Sequence, residues 1–335
     1  MCATSWQELL SSYSMQNKEP ERPIYPFSPI GSTIALARML HCSIEELKRV
    51  ESIADDLYRE VNRPRKDGTV RVCYDAMPPL KAMQARIQCL ILKRVKYPSY
   101  LMSGLAGRDY VRNAHVHTGA RVMINEDIAK FFPSTSSSIV FDIWKYFFHF
   151  PLEVPRTLAR LTTLRGELPQ GAKTSSYLAN LVFWACEPDL VAKLRSMGFD
   201  YTRYIDDMTI SSKTDKTAEE LNHALSLLAS MVNRYGLRLK RSKHSLVYAG
   251  QRMEVTGLAV GSNSAGLGHA KKNRIRAMVH SCEIEARCGS VSDGRSVMNL
   301  RAVASLVGQY TRLHPNKGHA LRLRLEAIQQ RWQTA

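Results

Sequence analysis

The sequence predicts an α+β fold, and three observations carry that expectation. Helical apolar periodicities alternate with short hairpin-like runs along the chain. No regular strand–helix–strand unit recurs, so the strands are expected to pair antiparallel. With 44% hydrophobic and 23% charged residues over 335 positions, the chain can bury a sizeable core, in roughly two domains or one multi-lobed one. There is no internal repeat and no low-complexity segment.

In chain order, a short N-terminal helix is expected first. It is followed by QNKEPERPIYPFSPI (17–31), whose Pro and polar content reads as an extended linker. From Ser32 a helix begins, with Ile34, Leu36, Ala37 and Leu40 on one side. Ser43 followed by Glu46 has the form of a capping box and predicts a helix through SIEELKRVESIADDLYREV. NRPRKDGTVRVCY predicts a hairpin turning at Asp67-Gly68, and a helix is expected over about 79–96. RVMIN (121–125) reads as a buried strand ending at Glu126-Asp127. Residues 136–149 read as helical, 174–197 as one long helix, 201–212 as a hairpin and 217–235 as a helix. Short strands to about Val260 precede a helical, basic remainder.

The formal net charge is +17, and from Gly236 onward 17 Lys and Arg stand against 5 Asp and Glu. Such a balance points to a polyanionic partner gathered on the last third of the chain, with a merely solvated surface as the bland alternative. No uninterrupted apolar run nears the ~18 residues of a membrane span, so no membrane partner is expected. The seven cysteines (Cys2, Cys42, Cys73, Cys89, Cys186, Cys282 and Cys288) are odd in number and lack any CxxC spacing. That argues against a zinc site or a disulfide framework. With no secretory signal at the N-terminus, a reducing cytoplasm is the expected compartment.

The segment with most chemistry in it is DYTRYIDDMTISS (200–212). A two-residue turn between its β-rich arms would display Asp206 and Asp207 at a hairpin tip. Adjacent carboxylates repel, and one is driven to protonate unless a cation lies between them. A lone Asp-Asp is weak evidence: Asp55-Asp56 is another, and lies in a helical pattern that reads as a solvated face. Asp127 adds weight, since an acid at a strand end beside that tip makes a three-carboxylate site, although alone it also reads as a helix N-cap. Oxygen-rich sites of this kind suit Mg²⁺. Two such ions about 3.5–4 Å apart can activate an attacking 3′-hydroxyl and steady a leaving pyrophosphate.

Taken in order, INEDIAKFFPS, LPQGAKTSSYLANLVF, YTRYIDDMTISS and GLRLKRSKHSLVYAGQRMEVTGL resemble the palm motifs of reverse transcriptases, with Tyr204-Ile205-Asp206-Asp207 as the aromatic-x-Asp-Asp box. The resemblance runs from about Ser32 to Glu326. It implies an RNA-directed DNA polymerase of right-hand architecture. Residues 1–31 would be an N-terminal extension and linker, and 32–120 the N-terminal helices and fingers. Residues 121–262 would be a palm with fingers helices inserted at about 136–170, and 263–335 a basic helical thumb. Metal ligation falls on Asp127, Ile128, Asp206 and Asp207, for two Mg²⁺ ions with Mn²⁺ as a substitute. Phe132 takes the position of the bulky residue that excludes a ribose 2′-hydroxyl, and reads equally as a core aromatic. Gln170 matches the residue packing near the incoming dNTP, Lys66 and Arg71 match triphosphate-gripping positions, and Lys243 (with Lys240 nearby) matches the lysine that protonates pyrophosphate.

Two further matches resemble bacterial retron enzymes: the NAxxH pattern at Asn113-Ala114-His115-Val116-His117 and the VTG pattern at Val255-Thr256-Gly257. Ile205 departs from the small residue that many retron enzymes carry there. The retron resemblance implies a structured noncoding RNA as template and primer. A guanosine 2′-hydroxyl in it would start the DNA, leaving an RNA–DNA product joined 2′–5′. A separate effector protein and a role against phage would complete the system. RNA contacts are expected from Asn113, His117, Val255, Thr256 and Gly257, and from Arg312, His314 and Lys317 on the C-terminal helices. Another bacterial reverse transcriptase, defence-associated or intron-derived, and a non-catalytic RNA-binding scaffold are the alternatives.

Overall fold

The structure is a computed structural model and describes residues 20–64, 68–287 and 294–334. The N-terminal helix, the predicted turn residue Asp67, and Lys66, Cys2 and Cys288 lie outside the described residues. The chain divides into two compact units, one taking in residues up to Asn113 together with Arg121–Tyr248, the other Ala114–Ala120 together with the chain from Ala249. The expected palm–thumb boundary at 262/263 falls inside the second unit.

The first unit opens with helices α1 (Thr33–Met39) and α2 (Ile44–Ser52), each started by a serine whose hydroxyl accepts an amide of the first turn: Ser32 from Ala35, Ser43 from Glu46. A hairpin of β1 (Tyr58–Pro64) and β2 (Val70–Ala76) follows, then α3 (Leu80–Leu90), the start of α4 (Tyr110–Val116), whose residues from Ala114 belong to the second unit, and β3 (Val122–Asp127). Next come α5 (Ser137–Asp142), which widens into a π-turn at Ile143–Phe147, α6 (Glu153–Thr162), α7 (Ser175–Leu181) and α8 (Glu187–Ser196). Strands β4 (Asp200–Tyr204) and β5 (Asp207–Ser212), helix α9 (Ala218–Arg234) and strand β6 (Ser245–Tyr248) complete the unit. Helix α9 begins with a full capping box between Thr217 and Glu220. The central sheet has the order β4-β5-β3-β6, with every pairing antiparallel. Its inner positions, Ile124, Met208 and Ile210 among them, join a continuous core with Leu36, Leu80, Ile87, Trp144, Leu158 and Phe183. Each such fully buried side chain stabilises the fold by roughly 1.5–3 kcal/mol relative to exposure, which is why the sheet is a firm platform.

Several expectations are corrected. The helix predicted from Ser43 stops at Ser52, and LYREV is mostly strand β1. Its pairing with β2, Tyr58 opposite Ala76 through Pro64 opposite Val70, is a non-local gain that outweighs local helical preference. Asp55 is no solvated face: its carboxylate accepts the Arg165 amide (2.8 Å) and pairs with Arg160 (3.2 Å), tying the turn at Ala54–Asp56 to the loop after α6. The single helix predicted over 174–197 is two, α7 and α8, the second opening with Pro188 at a position where no amide donor is needed. The segment predicted as an extended linker has no helix or named strand over its described part, and side-chain and backbone contacts tie it down. Glu21 accepts the Ser99 amide and hydroxyl, Arg22 pairs with Asp189, Ile24 bridges Lys96, and Tyr25 packs edge-on against Phe148.

In the second unit β7 (Glu254–Val255), β8 (Leu258–Val260) and β9 (Ala265–Gly266) form a small antiparallel sheet. Three helices follow, α10 (His269–Arg287), α11 (Gly294–Leu313) and α12 (Pro315–Thr334), packed through Val279, Val307, Tyr310, Leu325 and Ile328. A forked Arg324–Glu283 pair (2.6 and 2.7 Å) clips α12 to α10, and its hydrogen bonds hold the Glu283 carboxyl down to about 2.

The β1–β2 hairpin is docked onto the LPQG loop at one point. The Tyr74 amide donates to the Gln170 carbonyl (2.7 Å), and a Cβ on Gly171 (φ +113°) would lie 2.9 Å from the Tyr74 carbonyl oxygen. Only glycine accepts both the conformation and the approach. Gly171→Ala is therefore expected to cost about 1–3 kcal/mol and to accelerate hydrogen exchange at the Tyr74 amide. Unchanged Tyr74 exchange in the folded variant, read by NMR, would contradict this docking.

Candidate active site

Strand register brings the aspartates together. Asp127, the last residue of β3, lies opposite Asp207, the first of β5, and Asp207 also lies opposite Tyr204. The two-residue loop is thus Ile205-Asp206, one position earlier than the expected Asp206-Asp207 turn. Ile205 has φ +61°, a left-handed conformation that costs a β-branched residue about 1–2 kcal/mol. Backbone hydrogen bonds fix the turn and the end of β3. Ile128 donates to the Asp206 carbonyl (3.0 Å), Lys240 to the Asp127 carbonyl (2.7 Å), and Ala129 to the Arg238 carbonyl (2.9 Å).

Crowding sets the electrostatics. Burial, then the charges of Asp206 and Asp127, and then a hydrogen bond with Asp127 push the Asp207 carboxyl up to about 7. Asp206 is also raised, by burial first and the Asp127 charge second, while Arg71 and Lys243 pull it back. Carboxylates this close disfavour each other's charged forms, a repulsion that a cation between them would relieve. Among the described residues no three His, Cys, Asp or Glu side chains converge as a ready-made metal cage. The donor set nonetheless fits hard divalent ions: all-oxygen, clustered, and charged beyond what two nearby cations neutralise. Ile128, with its side chain buried, could ligate only through its main-chain carbonyl.

A cleft of about 640 Å³ is lined by Phe132, just after β3, by Gln170, Gly171 and Tyr74, and by Arg59, Val61 and Arg63 of β1. Phe132 lines the cleft and also packs its ring against buried Phe131. Arg71 lies opposite Arg63 across the hairpin, on the face that Val61 and Cys73 turn to the cleft. The charges of Arg71 and Lys243 reach Asp206, and that of Lys243 also reaches Asp207. Lys66 lies outside the described residues. Arg63 is a cleft residue that sequence reasoning missed; the two-residue alternation Arg59-Val61-Arg63 was the available signal.

Sequence reasoning also missed two buried acids. Glu126, next to Asp127, pairs with His244 Nδ1. Glu187 forms a wholly enclosed pair with Arg203, immediately before the aromatic-x-Asp-Asp box.

The residues expected to meet RNA divide by burial. Asn113, His117 and Val255 are enclosed. Thr256 and Gly257 form a left-handed turn between β7 and β8. Arg312 and Lys317 are exposed on α11 and α12. His314 is committed to the fold: its Nε2 accepts the Leu267 amide (3.2 Å), its ring fills the space a Gly266 side chain would need, and burial lowers its pKa.

The raised Asp207 value has a testable sign. Its carboxyl moves from 3.8 to about 7 on folding, so its contribution to stability is full below the lower value and lost as pH rises through the upper. In EDTA, Asp207→Asn should melt above wild type at about pH 8, and the gap should close as pH falls toward about 4. Mg²⁺ should raise the wild-type midpoint alone. A pH-independent gap would contradict the clustered arrangement.

Comparison with known proteins places these features in a family. Residues 64–268 match the family described as Reverse transcriptase (RNA-dependent DNA polymerase). The chain is 34% identical over 266 residues to the retron Se72 reverse transcriptase of Salmonella heidelberg, an alignment covering 78% of this chain and 70% of that protein. It is 30% identical over 272 residues to the retron Ec48 reverse transcriptase of Escherichia coli, covering 77% and 66%. Among solved structures, telomerase from Candida albicans aligns at 10% identity with a TM-score of 0.42, over 81% of this chain and 63% of that one. With a family match that spans both aspartate-bearing strands and relatives aligned over three quarters of its length, the chain belongs to the bacterial retron-type reverse transcriptases, the RNA-directed DNA polymerases.

Proposed function

We propose that Asp127, Asp206 and Asp207, with the Ile128 carbonyl, hold two divalent ions, Mg²⁺ with Mn²⁺ as substitute, at which DNA is extended on an RNA template. The observation that carries this is the Asp127–Asp207 register with Asp206 in the adjoining turn, which leaves three mutually repelling carboxylates short of positive charge. When bound, the ions supply the charge that lowers the pKa of the attacking hydroxyl and stabilises the departing pyrophosphate. The chain's own groups do the rest. In this proposal Arg71 and Arg63 grip the triphosphate, Gln170 and Phe132 bound the sugar, with Phe132 refusing a 2′-hydroxyl, and Lys243 gives a proton to the leaving group. Lys66 belongs to the same set by its place in the sequence.

The finer reading is that of a retron enzyme. It takes a structured noncoding RNA as both template and primer, starts from an internal guanosine 2′-hydroxyl, and leaves the DNA product attached 2′–5′. Its likeness to enzymes named for retrons supports this. The +17 charge supports RNA as the partner, since lysines and arginines replacing condensed counterions make binding strong and salt-dependent. Exposed Arg312 and Lys317, with the Val255-Thr256-Gly257 turn, are the RNA contacts of the second unit in this proposal. A role against phage with a separate effector protein, in the cytoplasm, extends it on family resemblance alone. Among the described residues no helix is long and apolar enough to cross a membrane.

Sequencing the nucleic acid that co-purifies tests both levels. Wild type should carry one dominant structured RNA, part of it joined to DNA that a debranching enzyme releases. Asp206→Asn should carry the same RNA with DNA reduced at least ~10²-fold. DNA in the variant at the wild-type level would remove the metal assignment. Free, unbranched cDNA in the wild type would leave a polymerase but not a retron enzyme.

A further inference from the structure

Arg203 is a charged residue inside a buried strand, with a side chain 0% exposed against a Glu187 side chain 1% exposed. Every arm of its guanidinium is used. Nε and Nη2 donate to the two oxygens of Glu187 (2.6 and 2.8 Å), Nη2 also to the Asn180 carbonyl (3.0 Å), and Nη1 to the carbonyls of Ala179 (3.2 Å) and Ile205 (3.1 Å). The Tyr201 hydroxyl donates to Glu187 as well (2.7 Å). The backbone of Arg203 is held too: its amide donates to the Tyr100 carbonyl (2.9 Å) and its carbonyl accepts the Met102 amide (2.8 Å).

A charge pair sealed from water is no efficient route to stability, because apolar residues of similar volume often do as well. What distinguishes this pair is one of its contacts. The Ile205 carbonyl belongs to the left-handed residue whose peptide leads into Asp206. The turn is gripped at both of its carbonyls, by Arg203 at the Ile205 oxygen and by the Ile128 amide at the Asp206 oxygen. Glu187 opens α8, while Ala179 and Asn180 close α7, so the guanidinium references the turn to two helix ends buried in the core. A lysine there could not span Glu187 and the Ile205 carbonyl together, since its ammonium is a single point on a flexible stem.

We infer that Arg203, locked by Glu187, is a positioning residue for polymerisation: it holds the strained Ile205-Asp206 turn so that the Asp206 and Asp207 carboxylates meet Asp127 in metal-binding geometry. The inference rests on the proposed role of those aspartates and adds to it the device that sets their spacing.

The test compares full-length wild type, Arg203→Lys, the double variant Arg203→Met/Glu187→Met, and Asp206→Asn. Each is measured for melting temperature, for Mn²⁺ binding from the EPR signal of the free ion, and for kcat and KM of dNTP incorporation on a primed RNA. The double variant removes the buried charge pair but leaves the Ala179, Asn180 and Ile205 carbonyls and the Tyr201 hydroxyl without these partners, so it should melt below wild type. Among its folded molecules kcat should fall about 10- to 100-fold, and Mn²⁺ affinity should weaken similarly, as for loss of an outer support of a metal site. Its dNTP KM should stay within about twofold of wild type, because the cleft is untouched. Arg203→Lys should show the same split, and decides the matter if the double variant does not fold. A folded variant with wild-type kcat and Mn²⁺ binding would overturn the inference. So would activity lost only in proportion to the unfolded fraction. Asp206→Asn at wild-type turnover would instead remove the underlying aspartate reading.

Discussion

The antiparallel register of β3 and β5 sets Asp127 opposite Asp207, with Asp206 in the adjoining turn, and the electrostatics of the site follow from that crowding. Opposed positions at the ends of the two strands leave Asp127 and Asp207 no freedom to separate without breaking the ladder. The charge is answered locally by the fields of Arg71 and Lys243, which are too few to neutralise it. Surplus negative charge on closely spaced oxygen donors is the feature on which the proposed divalent-ion binding rests.

Rigidity is supplied in layers. The β3 strand lies inside the sheet, with β6 beside Val122–Asn125, and Asp127 at its end is held by β5 on one side and by the Lys240 amide on its carbonyl. The turn before Asp207 is strained at Ile205 and gripped through both of its carbonyls. Beneath it the Arg203–Glu187 pair refers the turn to the ends of α7 and α8. The substrate side is joined to the same frame at Gly171, where β2 meets the LPQG loop. Strain at a turn that carries reactive side chains persists only when the surroundings over-determine it, and here they do.

Much of the site was legible because its residues are local signals. An acid at the end of an apolar strand and an acid pair in a short hairpin need little tertiary context to be read, and the pairing of β3 with β5 brings them together. The features that escaped depend on distant partners. The turn shifted by one residue because nothing in the sequence announces a left-handed isoleucine. LYREV became strand because Val70–Ala76 was there to pair with it, and the helix over 174–197 broke where Arg203 takes up the carbonyls of Ala179 and Asn180. Arg203 and Glu187 look in sequence like ordinary surface charges; burial alone reveals them. His314 looks in sequence like an RNA contact, whereas its ring is engaged by Leu267 and Gly266.

The most direct test of the central claim, that register-locked aspartates hold paired divalent ions, is anomalous diffraction from crystals soaked with Mn²⁺ and a dNTP. Two manganese peaks about 3.5–4 Å apart are expected between Asp127 and the Asp206-Asp207 turn. A cluster of aspartates without manganese density, beside a bound nucleotide, would contradict it.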